Sequence, residues 1–162
     1  MKILLLSDTH SYIDDRILHY AAQADEVWHC DFGNKQVIEA LQAVKPLRGV
    51  YGNIDGTEVR QFFPEVNCFT CQQVQVLMIH IGGYPAHYTA LATQEIQVNK
   101  PKLFISGHSH ILKVQYDPKY KLLHLNPGAA GNYGWHKVRT MLRFEIEGEE
   151  IKNLEVIELG KR

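Results

Sequence analysis

Apolar residues recur along this chain in short blocks, and the blocks predict its elements. Residues 2–6, Lys-Ile-Leu-Leu-Leu, are apolar after the first, the pattern of a strand covered on both faces. The run stops at Ser7-Asp8-Thr9-His10. Asp14 or Asp15 can cap a helix that carries Ile17, Leu18 and Ala21 on one side. Residues 26–30 read as a second strand ending at Asp31. After Asn34 a second helix shows Val37, Ile38, Leu41 and Val44 at the spacing of one apolar face, and Pro46 stops it. A third strand, residues 47–51, ends at Gly52-Asn53-Ile54-Asp55-Gly56. Strands alternating with helices predict a parallel sheet with right-handed crossovers. In such sheets ligands collect at the carboxyl ends of the strands.

The pattern then changes. Residues 66–71 and 73–79 read as adjacent strands, the second ending at His80. A helix over about 88–98 stops before Pro101. Leu103-Phe104-Ile105 is a short buried strand that runs into Gly107-His108-Ser109-His110. A hairpin turns through Asp117-Pro118-Lys119, and Asn126-Pro127-Gly128 forms a rigid loop. Val138, Thr140, Leu142, Phe144 and Ile146 alternate with Arg139, Met141, Arg143 and Glu145, the period of a half-buried strand. A turn at Gly148-Glu149 leads to a last strand over 151–157. The expected fold is α/β, a two-layer sandwich of mixed β-sheets flanked by helices, with residues 1–162 forming a single domain.

Composition narrows the function without naming it. At 162 residues, 45% hydrophobic and 22% charged, the chain has the make-up of one ordinary globular domain. Lys and Arg total 17 against 18 Asp and Glu, so nothing pulls it toward nucleic acid or an anionic membrane. The apolar start is too short for a signal-peptide core or a membrane span, and a cytoplasmic location is expected. Cys68-Phe69-Thr70-Cys71 spells C-x-x-C, but Cys30 is the sole remaining cysteine and no second pair completes a zinc site. These thiols are expected to be buried and inert.

The chemistry sits at the strand ends, which supply Asp8, His10, Asp31, Asn53, His80, His108 and His110. Each has a plain reading when taken singly. Asp8 could cap a turn, His29 or His80 could be core histidines, and residues 53–56 could be only a turn. Five strand ends ending this way together are the argument. His108 and His110, one residue apart on an extended segment, would point to opposite sides and serve neighbouring ions. Oxygen and imidazole donors suit Mn, Fe, Zn, Ni or Co more than Mg or Ca, with Mn foremost. Seven donors suffice for two ions if one carboxylate is shared. Two metals roughly 3.5–4 Å apart can clamp a phosphoryl group undergoing in-line displacement.

Asp8-x-His10, Asp31, Gly52-Asn53-x-Asp55, His80 and Gly107-His108-x-His110, followed by Asn126-Pro127-Gly128, resemble the ordered motifs of the calcineurin-like metallophosphoesterases. The small single-domain bacterial and archaeal phosphodiesterases are the most similar branch. The resemblance implies a dinuclear centre with Asp8, His10, Asp31 and His110 on one ion. Asp31, Asn53, His80 and His108 hold the other, with Asp31 bridging. It implies attack on phosphorus by a hydroxide between the ions, with Asn53, His80 and His108 taking a direct part in catalysis. Asp55 would orient a ligand without touching metal.

Three departures stand out. The family usually has His-x-Gly-Asp where this chain has His29-Cys30-Asp31, one residue short, and this bears on where the Asp31 carboxylate falls. Ile54 replaces a His that many monoesterases use to protonate the leaving group, which favours phosphodiester substrates. Ala129 stands where Ser often follows Asn-Pro-Gly.

The expected activity is metal-dependent hydrolysis of a small phosphodiester. The alternative is a non-catalytic protein-binding scaffold, since the superfamily includes a retromer subunit that uses this fold for protein contacts. A nuclease is disfavoured by the balanced charge, and self-association into a homo-oligomer stays open. Tyr133 and Trp135 lie in a Gly-rich loop, where local packing is the simpler expectation and a partner surface the alternative. His87 and His136 are the remaining loop histidines that could act as an acid.

Overall fold

The computed structural model describes residues 1–162. Its elements are β1 (Lys2–Ser7), α1 (Asp15–Ala22), β2 (Glu26–Cys30), α2 (Lys35–Gln42), β3 (Leu47–Val50), α3 (Thr57–Arg60), β4 (Val66–Cys71) and β5 (Val74–Ile79). They continue with β6 (Gly83–Tyr84), β7 (His87–Tyr88), α4 (Ala90–Asn99), β8 (Leu103–Ile105), β9 (Lys113–Asp117), β10 (Leu122–Asn126), β11 (Val138–Glu147) and β12 (Glu150–Lys161). One five-stranded sheet has the order β12-β11-β1-β2-β3 and the other β4-β5-β8-β10-β9. Within them β1, β2 and β3 are parallel, as are β5, β8 and β10. Antiparallel strands close the remaining edges, so both sheets are mixed.

The two sheets face each other, and helices cover their outer sides. The alternation of β1 shows why its sequence is apolar throughout. Ile3 and Leu5 enter the cluster between the sheets, with Trp28, Val50, Val76, Met78, Leu103, Ile105, Leu125, Leu142 and Phe144. Leu4 and Leu6 face the other way, into a cluster with Ile17 and Ala21 of α1 and Val37, Ile38 and Leu41 of α2. A third cluster joins Ala92 and Ile96 of α4 to the outer face of the second sheet through Leu77, Ile79, Phe104 and Leu122. Asp14 and Asn34 cap α1 and α2, accepting from the backbone N–H groups of Ile17 and Val37.

Several boundaries differ from the sequence reading. The fourth helix starts at Ala90, capped by Thr89, because Tyr88 is taken into the small β6–β7 hairpin. That hairpin and the single turn of α3 are too short to carry a hydrophobic period. The last strand runs to Lys161, four residues past the expected end. Arg139 and Met141, assigned to a solvated face, are buried. Helix α1 side chains cover that face. There Arg139 donates from Nε to the Ala130 carbonyl at 2.8 Å and lies 2.9 Å from an Asp14 oxygen. All three cysteines are free thiols, and only Cys68 is not fully buried.

Loops at the carboxyl ends of β2 and β3 are tied together by one carboxylate. Asp55, buried, accepts from the backbone N–H groups of Gly33 at 2.5 Å, Gly52 at 2.9 Å and Phe32 at 3.1 Å. Burial pushes its pKa up and these N–H groups pull it back. Asp55→Ala would strand three donors at about 1–3 kcal/mol each. Urea unfolding should therefore show a loss of roughly 3 kcal/mol or more, with a smaller loss for Asp55→Asn, which retains one acceptor oxygen. Equal stability of Asp55→Ala and the parent would remove this carboxylate from the loop architecture.

Buried His124, on β10, has Nε2 2.9 Å from the Ser106 hydroxyl. Burial, and then the charge of Lys113, lower its pKa to about 4. The folded value lies below the ordinary 6.5, so the unfolded chain binds the extra proton between the two. The stability from keeping His124 neutral is thus complete above pH 6.5 and lost as pH falls toward 4, up to about 3 kcal/mol. Unfolding free energies measured across that range should fall less steeply in His124→Gln than in the parent. Parallel pH profiles would show that His124 does not titrate between the two states.

A candidate metal centre at the strand ends

All seven residues singled out by the sequence arrive at one end of the sandwich. Asp8 and His10 follow β1, Asp31 follows β2, Asn53 follows β3, His80 follows β5, and His108 and His110 follow β8. Both sheets therefore contribute. The backbone turns sharply to deliver these side chains. Of eleven non-glycine residues with positive φ, five are Asp8, His10, Asp31, His108 and His110. Such conformations cost energy and persist where the surroundings over-determine them. His108 and His110 accordingly lie in left-handed turns at φ 68° and 59°, not in the extended segment expected, yet their rings still diverge toward different partners.

The side chains form two groups that meet at the carboxylates. His10 Nε2 is 3.0 Å from Asp31 Oδ2 and 3.6 Å from Asp8 Oδ1, and His110 Nε2 is 3.2 Å from Asp8 Oδ1. On the other side Asn53 Oδ1 lies 3.1 Å from both His80 Nε2 and His108 Nδ1. His80 Nε2 is in turn 3.6 Å from Asp31 Oδ2 and 3.7 Å from Asp8 Oδ1. The segment one residue short before Asp31 does not keep its carboxylate away. A left-handed turn at φ 72°, with the Asp31 N–H donating to the Val50 carbonyl, swings it into the cluster.

Close backbone approach makes room for this. A Cβ on Gly52 would fall 2.1 Å from Asp31 Oδ1, and one on Gly107 would fall 2.2 Å from the Ser7 hydroxyl and 2.9 Å from Asp8 Oδ2. Only glycine fits either place. The Ser7 hydroxyl, 2.6 Å from Asp8 Oδ2, and the His108 N–H, at 3.0 Å, together occupy that oxygen and leave Oδ1 turned to the histidines. Asn126 donates to the Gly107 carbonyl at 3.0 Å and clamps the His108/His110 loop. Ser7 and Asn126 were not singled out for these contacts: Asn126 acts through Gly107, 19 residues away, and the adjacent Ser7 and Asp8 meet only through the side-chain rotamers that the fold sets. Asp55, expected to orient a ligand without touching metal, accepts from the backbone N–H groups of Phe32, Gly33 and Gly52, beside Asp31 and Asn53.

His29 is a core residue, its ring stacked on Phe32 at 4.1 Å with Nε2 3.0 Å from the Thr9 hydroxyl. Burial lowers its pKa to about 3. His87 lies on the small hairpin against Tyr84, with ring centroids 4.9 Å apart. Tyr133 leans on His10 at 5.5 Å. Trp135 is 100% exposed, so local packing does not account for it.

The electrostatics test whether this cluster fits a cation. Every ion-pair partner of Asp8 and Asp31 is a histidine. Asp8 Oδ1 and both Asp31 oxygens are buried without a hydrogen bond of good geometry. Burial raises the Asp8 pKa, but His10, His110, His80 and Ser7 more than offset it and hold the carboxyl well below the usual range. For Asp31, burial dominates and the charge of Asp8 adds to it, so its pKa is pushed up. His10 is raised to about 9 by Asp31 and then Asp8, whereas burial lowers His80 to about 4. Two buried carboxylates with no Lys or Arg beside them, and His10 alone held protonated, are costly unless further positive charge joins them. Ligand atoms of Asp8, His10 and His110, and those of Asp8, Asp31 and His80, each fall within 4.8 Å of one another, which suits a bound metal ion. The donor set fits.

Comparison with solved structures returned full-length matches of this fold. Zinc-complexed Vps29 from Entamoeba histolytica is 19% identical with a TM-score of 0.74, covering 98% of this chain and 99% of that one. The Thermotoga maritima protein TM1076 is 24% identical with a TM-score of 0.74, covering 98% and 99%. An archaeal phosphodiesterase is 21% identical with a TM-score of 0.74, covering 98% and 100%. At these identities the likeness is one of fold. The comparison with curated proteins found no match. Residues 1–149 match the calcineurin-like phosphoesterase superfamily domain, a span that takes in every strand end described above. By that match the chain belongs to the calcineurin-like phosphoesterase superfamily.

Proposed function

We propose that this protein is a metal-dependent phosphodiesterase acting on small phosphodiesters. Asp8, His10, Asp31 and His110 would hold one divalent ion and Asn53, His80, His108 and Asp31 the other, with Asp31 serving both. The observation that carries this reading is the set of three buried, unpartnered carboxylate oxygens of Asp8 and Asp31, ringed by imidazoles and faced by no Lys or Arg. Oxygen and nitrogen donors without thiolate suit Mn, Fe, Zn, Co or Ni. Two such ions would supply Lewis acidity toward a phosphoryl group and acidify water beside it.

The chain's own residues do the rest. Ser7 and the His108 N–H fix the rotamer of Asp8. Asp55 fixes the loops that carry Asp31 and Asn53. Ile54, next to Asn53 and 43% exposed, presents an apolar group and no proton where a leaving-group acid would stand. Substrates whose leaving group needs little protonation are therefore favoured.

A second reading is a protein-binding scaffold of the same fold. The Vps29 structures among the neighbours and the fully exposed Trp135 favour it. Turnover separates the two. Chelated protein should be inactive toward an activated aryl phosphodiester and regain activity with Mn²⁺. Asp31→Asn keeps the shape but removes the shared charge, so it should lose one ion and at least about 100-fold in turnover while staying folded. Folded parent protein without turnover across Mn²⁺, Fe²⁺, Co²⁺ and Zn²⁺ would favour the scaffold. Specificity constants for matched aryl substrates should also favour the diester over the monoester. A monoester preference would mean that another group donates the proton Ile54 lacks.

A further inference from the structure

The loop between β10 and β11 places His136 against His110, and its hydrogen bonds fix which nitrogen carries which hydrogen. His136 Nε2 lies 2.8 Å from the Gly131 carbonyl oxygen, and its Nδ1 lies 3.3 Å from Nδ1 of His110. A carbonyl oxygen only accepts, so the hydrogen of a neutral His136 is on Nε2 and its Nδ1 is a bare acceptor. The hydrogen in the contact between the two rings then belongs to His110 Nδ1. In a neutral His110, the form that can bind metal, this leaves Nε2 with a free lone pair, and that is the atom 3.2 Å from Asp8 Oδ1. Two acceptors facing each other at that distance repel unless a cation joins them.

We infer that His136 is a positioning residue for the metal centre: it holds His110 in the Nδ1–H tautomer and so makes His110 Nε2 a ligand for the ion on the Asp8/His10 side. The inference rests on the two-metal reading above. Loop geometry supports it independently of any ion. The Gly131 N–H donates to the Asp8 carbonyl at 3.1 Å, so the acceptor that orients His136 is itself tied to the end of β1. Gly134, at φ 133°, presses so closely on His110 that a Cβ there would sit 2.2 Å from His110 Nδ1. The two rings meet edge-on with centroids 5.2 Å apart. Reversing the assignment would require a second hydrogen on His136 and place that charge beside the incoming cation. Imidazole ligands elsewhere are oriented by the acceptor on their other nitrogen, and removing such a partner weakens metal binding by roughly 10–100-fold.

The test uses the full chain and Zn²⁺ alone, read by calorimetry and by ¹⁵N NMR of the imidazoles. His136→Phe keeps a ring beside His110 but no acceptor. His136→Asn puts an amide oxygen near the place of Nδ1 and keeps one. The parent should bind two zinc ions per chain, with His110 protonated at Nδ1. His136→Phe should bind one of the two roughly 10–100-fold more weakly, and His136→Asn should recover most of that loss. Two ions bound equally well by parent and His136→Phe would overturn the inference alone. So would equal weakening in both variants, which would mark a packing role, or a His110 hydrogen found on Nε2. A folded parent that binds no zinc would overturn the two-metal reading together with the inference.

Discussion

Asp8 and Asp31 bring two carboxylates into one buried space that no lysine or arginine enters. Three of their oxygens find no hydrogen-bond donor of good geometry, and their ion-pair neighbours are all imidazoles. Much of the strand-end architecture serves to keep this unfavourable arrangement in place. Ser7 and the His108 N–H satisfy the one Asp8 oxygen that faces away from the histidines. Burial and like charge push the Asp31 carboxyl up while Asp8 stays ionised, and His10, raised to about 9, is the one group held protonated beside them. A divalent cation would supply the missing charge, and it would displace the proton of His10 so that the imidazoles around it act as neutral donors.

Strain in the backbone is the second half of the same design. Five of the seven candidate ligands have left-handed φ, which only a rigid frame can maintain. That frame is the sandwich, with an apolar cluster between the sheets and another beneath α1 and α2. At the strand ends polar clamps take over from packing. Asp55 gathers three backbone N–H groups, and Asn126 holds the histidine loop. Gly52 and Gly107 let the loops approach the carboxylates to distances that a Cβ would forbid.

Around the centre, apolar and aromatic side chains stand among polar ones such as the exposed Ser11 and Ser109. Ile54, Ile81 and Ile111 each follow a candidate ligand and are 43%, 43% and 63% exposed, and Tyr133 leans on His10. The proposed phosphodiester substrate has a charged centre flanked by organic groups, which an ionic core with isoleucines on its rim would complement. The same rim, with Trp135 fully exposed, is also what a protein partner could use. Members of one fold can thus diverge toward catalysis or toward contact by changing few residues.

The order of strands and helices through β3 was legible in the sequence because hydrophobic period reports burial, and β1 is buried on both faces. Ligand-type residues were legible because each sits where an apolar run stops, a mark that needs no tertiary knowledge. Short elements such as α3 and the β6–β7 hairpin carry no period and were invisible. Arg139 read as a solvated residue because alternation cannot show that α1 covers its face; its ion-pair partner Asp14 and the Ala130 carbonyl, which accepts from it, lie outside its own strand. The segment before Asp31 could be read only as one residue short. A left-handed turn carries its carboxylate back into the cluster, and φ at a single residue leaves no trace in hydrophobic pattern. The contact between His136 and His110 spans 26 residues and depends on where two loops cross. Composition and period determine which residues are buried and where strands end; the direction in which each side chain points, and so which nitrogen of His110 is free, is decided only when the loops pack.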